Sequence, residues 1–264
     1  MNGRIVILLC CVMLGVAHAG VDAARAGDQP DWARETRLAD QTVDAILDGD
    51  PEWLSAEGRE FLGILTEADN AEAAVIIMHG RGFHPDWVDV VNPLRVGLVD
   101  HGFSTLSLQM PVLQKDAKYY DYVNIFPAAY PRIEAGIDFL RQAGYAKVYL
   151  LAHSCSVHMV MAWVREHGDS GFEAFVGLGM GATDYQQPMR EPFPLERMQV
   201  PVLDLYGEHE FPAVIRFAPD RLKRLQQAGN PKSKQVILAG ADHYFTDYGD
   251  ALLEQVAAWL ASLE

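Results

Sequence analysis

Three side chains able to act as nucleophiles stand in a row at Ser154, Cys155 and Ser156, in the run LLAHSCSVH over residues 150–158. A hydroxyl near its ordinary pKa attacks a carbonyl poorly and needs a base beside it. It also needs exposure, which a chain gains by turning sharply from strand to helix with the nucleophile at the turn. Backbones crowd there, so only small residues fit two positions before and two after, as in the pattern G-x-S-x-G. Centring on Ser154 puts Ala152 and Ser156 at those positions. Centring on Cys155 puts His153 and Val157 there, and centring on Ser156 puts His158 after it. Those side chains are too bulky, so sterics select Ser154. Small-x-Ser-x-small also arises by chance, and a serine at a strand end can simply cap a helix. What raises Ser154 above that is its place after the apolar run Val148-Tyr149-Leu150-Leu151 and before a helical pattern.

A base and an acid complete such a set. His243 follows the last apolar run, in Ala239-Gly240-Ala241-Asp242-His243. The run before it leads into Tyr206-Gly207-Glu208-His209-Glu210, so Asp204, Glu208 and Glu210 all compete for the acid. Asp204 lies within the apolar run and Glu208 directly follows the turn residue Gly207. Glu210 is suitably placed beyond the turn, with Phe211-Pro212 behind it, and is the preferred candidate. Charge that develops on a carbonyl oxygen under attack needs backbone donors aimed at it. The N–H of Cys155, directly after Ser154, is one candidate. The N–H of Arg81, in His79-Gly80-Arg81-Gly82, is the other, because the glycines allow close backbone approach.

These residues need rigid elements to bring them together. Continuous apolar runs of strand length cover residues 73–78, 103–108, 147–152, 175–178, 200–205 and 235–238, with a short one at 61–65. Such runs suit strands buried on both faces, as in a parallel sheet. Helical spacing covers 130–142, 157–166, 220–227 and 248–263, and also 32–47, which Asp48-Gly49-Asp50-Pro51 ends. Strands alternating with helices imply βαβ units and one doubly wound, mostly parallel α/β sheet. Ligands bind such sheets at the carboxyl ends of the strands. Arg81, Ser154, Glu210 and His243 all fall there.

The whole set resembles the α/β-hydrolase superfamily from about Phe61 to the C-terminus. The resemblance is carried by His79-Gly80-Arg81-Gly82, Ala152-His153-Ser154-Cys155-Ser156, Gly207-Glu208-His209-Glu210 and Gly240-Ala241-Asp242-His243, with serine, acid and histidine in the superfamily's chain order. It implies Ser154 as nucleophile, His243 as base, Glu210 as acid, and Arg81 and Cys155 as backbone donors. Two departures stand out. Ala152 and Ser156 replace the usual glycines, and Glu210 stands where aspartate is more frequent. Phe83-His84-Pro85-Asp86-Trp87 with Asn92-Pro93-Leu94-Arg95 is similar to a group of secreted bacterial α/β-hydrolase-like proteins, a likeness that implies no substrate. Residues 183–199, where many relatives insert a lid, are few. The expected fold is therefore the α/β-hydrolase fold without a large cap domain, with an open site for small or medium esters.

The 264 residues, half of them hydrophobic, suit one sizeable core. A formal charge of −15 repels phosphate backbones and anionic membranes, which argues against nucleic acid as a partner. The beginning of the chain reads as a leader: Arg4, an apolar run over 5–16, and the small-x-small site Ala17-His18-Ala19. The run is short for a membrane span. Cleavage after Ala19 and export to a periplasm or beyond is the expectation, against a retained anchor or a lipid on Cys10 or Cys11. No stable membrane insertion is expected after cleavage, and Cys155 is then the single cysteine, so no disulfide forms. The expected division is a signal peptide at 1–19, a leader and helix at 20–60, and a catalytic domain at 61–264.

Other residues invite rival readings. His79, His84, His153, His158, His209 and His243 are potential metal ligands, but none shows HExxH spacing and no cysteine cluster supports them. No metal or cofactor is expected, and His153 is expected to pack beside the turn. Tyr119, Tyr120, Tyr122, Phe126 and Tyr130 lie in a long connection after a strand, where they either line a binding loop or pack over the core. The main expectation is a serine hydrolase acting on a small-molecule ester or acyl substrate. The alternatives are a non-catalytic binding protein on the same fold, or a peptidase or thioesterase with the same triad. The sequence specifies no oligomeric state.

Overall fold

The structure, a computed structural model, describes residues 28–264. The expected leader and its cleavage site after Ala19 lie outside the described residues. In chain order the elements are helix α1 (Trp32–Val43), strands β1 (Asp50–Ala56), β2 (Arg59–Thr66) and β3 (Ala73–Met78), helix α2 (Val91–Asp100), strand β4 (Ser104–Leu108), helices α3 (Tyr119–Val123) and α4 (Tyr130–Gln142), strand β5 (Lys147–His153), helix α5 (Cys155–His167), strands β6 (Ala174–Leu178) and β7 (Val202–His209), helix α6 (Pro212–Ala228), strand β8 (Lys234–Asp242) and helix α7 (Gly249–Ala261).

The strands form one eight-stranded sheet in the order β1-β2-β4-β3-β5-β6-β7-β8. Strand β2 is antiparallel to both β1 and β4, and every other pairing is parallel. Side chains alternate across a strand, so β5 feeds two cores at once. Val148, Leu150 and Ala152 join Ile133, Leu140, Val157 and Val160 of α4 and α5 on one face. Tyr149 and Leu151 join Leu94 and Leu98 of α2 and Val256 and Trp259 of α7 on the other. Burial on both faces is why the central strands read as unbroken apolar runs. From β3 the chain crosses one face through α2 to reach β4, then the opposite face through α4 to reach β5. That reversal opens a crevice at the carboxyl ends of β3 and β5.

The largest departures from the sequence expectation are at β1, α2 and α6. The expected boundary at residue 60 falls inside the β1–β2 hairpin, where Ala56 pairs with Arg59, so the sheet begins at Asp50. Strand β1 is an edge with only Leu54 buried and Pro51 near its start, which leaves no apolar run to detect. Helix α2 carries Pro93 in its first turn, where a missing N–H costs nothing, and Gly97 further on. Both disguise it. Helix α6 spans Pro212–Ala228, more than twice the length expected over 220–227.

Candidate active site

Strand β5 ends at His153 and helix α5 begins at Cys155, leaving Ser154 alone at the turn with φ 55° and ψ −111°. A positive φ is uncommon outside glycine and marks local strain. The turn is held from both sides. Ser154 N–H donates to Leu178 O at the end of β6 (2.9 Å), and the Ser156 hydroxyl donates to His79 O. Ser156 is thus spent on the backbone where a glycine is usual. Cys155 is buried, and burial pushes its thiol pKa up to about 12, so it stays a neutral thiol. Only Ser154 of the three presents its hydroxyl to a base.

The partner of Ser154 is the imidazole of His243. Ser154 Oγ–H donates to His243 Nε2 (2.9 Å), and His243 Nδ1–H donates to Glu210 Oε2 (2.6 Å). A carboxylate only accepts, so it fixes the proton on Nδ1 and leaves Nε2 free to accept from serine. Glu210 Oε2 also accepts from Phe211 N–H (2.8 Å). The side chains of His243 and Glu210 are 2% and 0% exposed. Two glycines make room for them. At Gly179, with φ +62°, a Cβ would sit 2.9 Å from both Glu210 Oε1 and His243 Cε1. At Gly207 a Cβ would lie 2.4 Å from Ala241 O, so only glycine lets β7 and β8 close up just before Glu210 and His243. The competing carboxylates point elsewhere. Asp204 is fully buried against Arg221 Nε (2.8 Å) and Gln235 Nε2 (2.7 Å), and Glu208 Oε2 accepts from Gly240 N–H (2.9 Å).

The loop after β3 is anchored by two buried histidines. His79 Nδ1–H donates to Gly80 O (2.8 Å) and Nε2 accepts from Met110 N–H (2.9 Å). His153 Nε2–H donates to His243 O (3.0 Å), so it supports the backbone that carries His243. Burial pulls the pKa of each down to about 3, which keeps both neutral. A Cβ on Gly80 would lie 2.8 Å from His153 Nδ1. Among the described residues no group of three or more His, Cys, Asp or Glu converges as metal ligands would.

Two cavities meet at Ser154. The smaller, about 360 Å³, is lined by Tyr119, Cys155, Ala182, Thr183 and Asp184, with Arg81 and Phe211 at its border. The larger, about 940 Å³, includes His243 in its wall together with Phe83, Trp87, Tyr244, Arg34 and Lys115. Arg81 and Phe211 line both cavities. The Arg81 guanidinium holds Asp184 through two bonds (2.6 and 3.1 Å), and Asp184 Oδ2 also accepts from Tyr119 N–H (2.5 Å). Phe211 stacks on His243 with ring centroids 4.1 Å apart, and Phe83 stacks on Trp87 at 3.8 Å. The aromatic connection after β4 does both of its expected jobs. Phe126 is core, while Tyr119 and Tyr122 pack in the core and also reach the cavities.

Arg34, Phe83, Trp87, Asp184, Phe211 and Tyr244 were not singled out as site residues from the sequence. Phe83, Trp87, Phe211 and Tyr244 do lie within a few residues of Arg81, Glu210 or His243, and that proximity was the available signal. Arg34 had none. It arrives from α1, where its Nη2 donates to Gly82 O (3.1 Å) and its Nη1 to Leu113 O.

A family model described as "Protein of unknown function (DUF3530)" matches residues 5–122. No curated protein matches the chain by sequence. Solved structures match over nearly their whole length and most of this chain. Est1E from Butyrivibrio proteoclasticus is 15% identical with a TM-score of 0.62, covering 82% of this chain and 99% of its own. Dienelactone hydrolase from Anabaena variabilis is 17% identical with a TM-score of 0.61, covering 81% and 97%. XC6422 from Xanthomonas campestris, named as an α/β serine hydrolase without lid, is 14% identical with a TM-score of 0.59, covering 81% and 96%. The chain therefore has the α/β-hydrolase fold, a mostly parallel sheet with flanking helices and no large cap.

Proposed function

We propose that the protein is a serine hydrolase that cleaves small or medium carboxylic esters through an acyl-enzyme. In this reading His243 Nε2 takes the proton from Ser154 as Oγ attacks the ester carbonyl. The N–H groups of Cys155 and Arg81 stabilise the oxyanion, and the first residue of a helix has an N–H free for that purpose. His243 then gives the proton to the departing alkoxide, and Glu210 stabilises the imidazolium in between. Water, activated by the same histidine, releases the acid. No metal or cofactor enters any step.

The observation that carries this reading is the unbroken chain from Ser154 through His243 to Glu210, at 2.9 and 2.6 Å, on a strained turn beside an open cavity. The names of two neighbours, a dienelactone hydrolase and an α/β serine hydrolase, are consistent with it. Labelling with a fluorophosphonate probe tests it directly. The wild-type chain should label, Ser154→Ala should not, and Cys155→Ala should. Labelling that persists in Ser154→Ala would falsify the assignment.

We also propose that the chain is exported after cleavage at Ala19, on the strength of Arg4, the apolar run and Ala17-His18-Ala19. Among the described residues no helix is long and apolar enough to cross a membrane. Mass spectrometry of the protein from its native host should find a chain beginning at Gly20. A chain retaining Met1, or one carrying a fatty acid, would rule this out.

A further inference from the structure

We infer that the substrate joins a small acyl group to a bulky leaving alcohol or phenol that bears an anionic group. The inference rests on the ester-hydrolase reading and adds to it which half of the substrate enters which cavity.

The direction of proton transfer assigns the halves. Collapse of the tetrahedral intermediate breaks the bond between the carbonyl carbon and the leaving oxygen. That oxygen carries away the electron pair and takes its proton from His243 Nε2. The leaving group must therefore lie on the side of Ser154 that His243 faces. Only the cavity of about 940 Å³ has His243 in its wall, and the cavity of about 360 Å³ does not. The acyl group is left with the smaller space. There Tyr119 and Thr183 close around it, and the Arg81–Asp184 pair is already neutralised.

The wall of the larger cavity then describes the leaving group. Phe83, Trp87 and Tyr244 offer flat apolar surface, which suits an aromatic or similarly broad group. Arg34, Arg81 and Lys115 line it as well, and among the described residues no carboxylate does. The chain holds 36 Asp and Glu against 21 Lys and Arg, so a wall of this sign runs against the composition. Arg81 spends its charge on Asp184. Arg34 meets only carbonyl oxygens, Gly82 O at 3.1 Å and Leu113 O, which occupy two of its N–H groups and leave its charge unpaired. Among the described residues neither Arg34 nor Lys115 forms an ion pair. Two unpaired cations over aromatic walls favour an anion, carboxylate or phosphate, on the leaving group.

Paired substrates test this. The kcat/KM of the full chain is measured on 4-acetoxybenzoate and its neutral methyl ester, and on 4-acetoxyphenyl phosphate and phenyl acetate. Each value is divided by that ester's spontaneous hydrolysis rate. The anionic member should be preferred by about tenfold, the worth of a charge-assisted contact. Lys115→Gln and Arg34→Gln should each lower the ratio several-fold, and added salt should lower it too. Arg34 also ties down two loops, so Lys115→Gln, a change at an exposed side chain, is the variant whose folding is not at stake. A larger ratio for the carboxylate or for the phosphate pair identifies which anion is meant. On one phenol, acetate should be hydrolysed faster than octanoate. A ratio at or below one, a ratio unmoved by both substitutions, or a preference for octanoate overturns the inference. If phenyl acetate is hydrolysed in any of those cases, the ester-hydrolase reading stands without it. If no ester is hydrolysed and no probe labels, both fall together.

Discussion

A serine at φ 55° and ψ −111° costs roughly 1–3 kcal/mol relative to relaxed backbone, and a glycine there would avoid much of it. The gain is position, because the strain holds Oγ 2.9 Å from His243 Nε2. The acid next to that histidine is the most testable residue of the set, since three carboxylates lie close together in sequence and only one touches the ring. Glu210→Gln keeps the size but removes the negative charge and turns one oxygen into an N–H donor, so the proton is no longer fixed on Nδ1. It should lower kcat by up to about 10⁴ with little change in KM. Glu208→Gln, whose amide oxygen can still accept from Gly240 N–H, should stay near wild type. Asp204→Asn should retain catalysis where folded but lose on the order of 3–5 kcal/mol of stability, because it strips Arg221 of its buried partner. Measuring kcat and urea unfolding for the three variants separates the roles. A collapse of kcat in Glu208→Gln with Glu210→Gln unaffected would mean that the acid lies elsewhere.

Strand ends carry this site, and the closing of β7 against β8 is the most exacting contact among them. An alanine Cβ at Gly207 would meet Ala241 O at 2.4 Å and Asp242 O at 2.6 Å, so the strands must part just where Glu210 and His243 leave them. Displacement of a catalytic group by about 1 Å costs on the order of 10²-fold in rate. Gly207→Ala should lower kcat/KM at least that far while far-UV circular dichroism stays native. An unchanged kcat/KM would show that the strand spacing does not set the histidine. The same elements explain what was legible beforehand. Strand β3 was readable to the residue, over 73–78, because both its faces are buried and no polar residue interrupts it. Ser154 stood out because it follows the buried strand β5, while Glu210 and His243 stood out by following apolar runs, 200–205 within and before β7 and 235–238 in the edge strand β8. Strand β1 was not, since an edge buries one side chain, Leu54, and shows no period. Helix α2 was not, because Pro93 and Gly97 argue locally against a helix. Gly97 is favoured by a contact remote in sequence, where a Cβ would meet Leu253 of α7 at 2.3 Å. Part of the cavity walls was invisible for the same reason: Arg34 and Asp184 reach the two cavities only after folding, and no local pattern encodes that.

Four histidines have their pKa lowered by burial, His84 among them, and the three most shifted tie the stability of the whole molecule to pH. His79 and His153 are pulled down to about 3 and His158 to about 4, while each is an ordinary histidine of pKa about 6.5 in the unfolded chain. Between those values the unfolded state binds more protons than the native state, so stability rises with pH there. Their contribution is complete above about pH 6.5 and is lost as pH falls below it. With up to three protons involved, the slope approaches about 4 kcal/mol per pH unit at its steepest. Two terms act against this trend. Burial raises the pKa of Glu35 and of Asp204, which favours the native state as they protonate. Protonation also relieves the repulsion within a chain of formal charge −15. Glu35 and Asp204 take up at most two protons against the three of the histidines, so stability still falls as pH drops from about pH 6.5 to about pH 5. The urea midpoint should change little between about pH 6.5 and about pH 8 and fall as the pH drops through the window. His158 packs against Tyr119 and Phe193 and donates from Nε2 to Ala182 O (2.9 Å), away from the Ser154–His243 pair. His158→Gln can keep that bond without the titration, so it should remove about one proton from the slope while lowering stability at neutral pH. A midpoint that holds constant or rises as the pH drops through the window would mean that these rings are not held neutral by the fold.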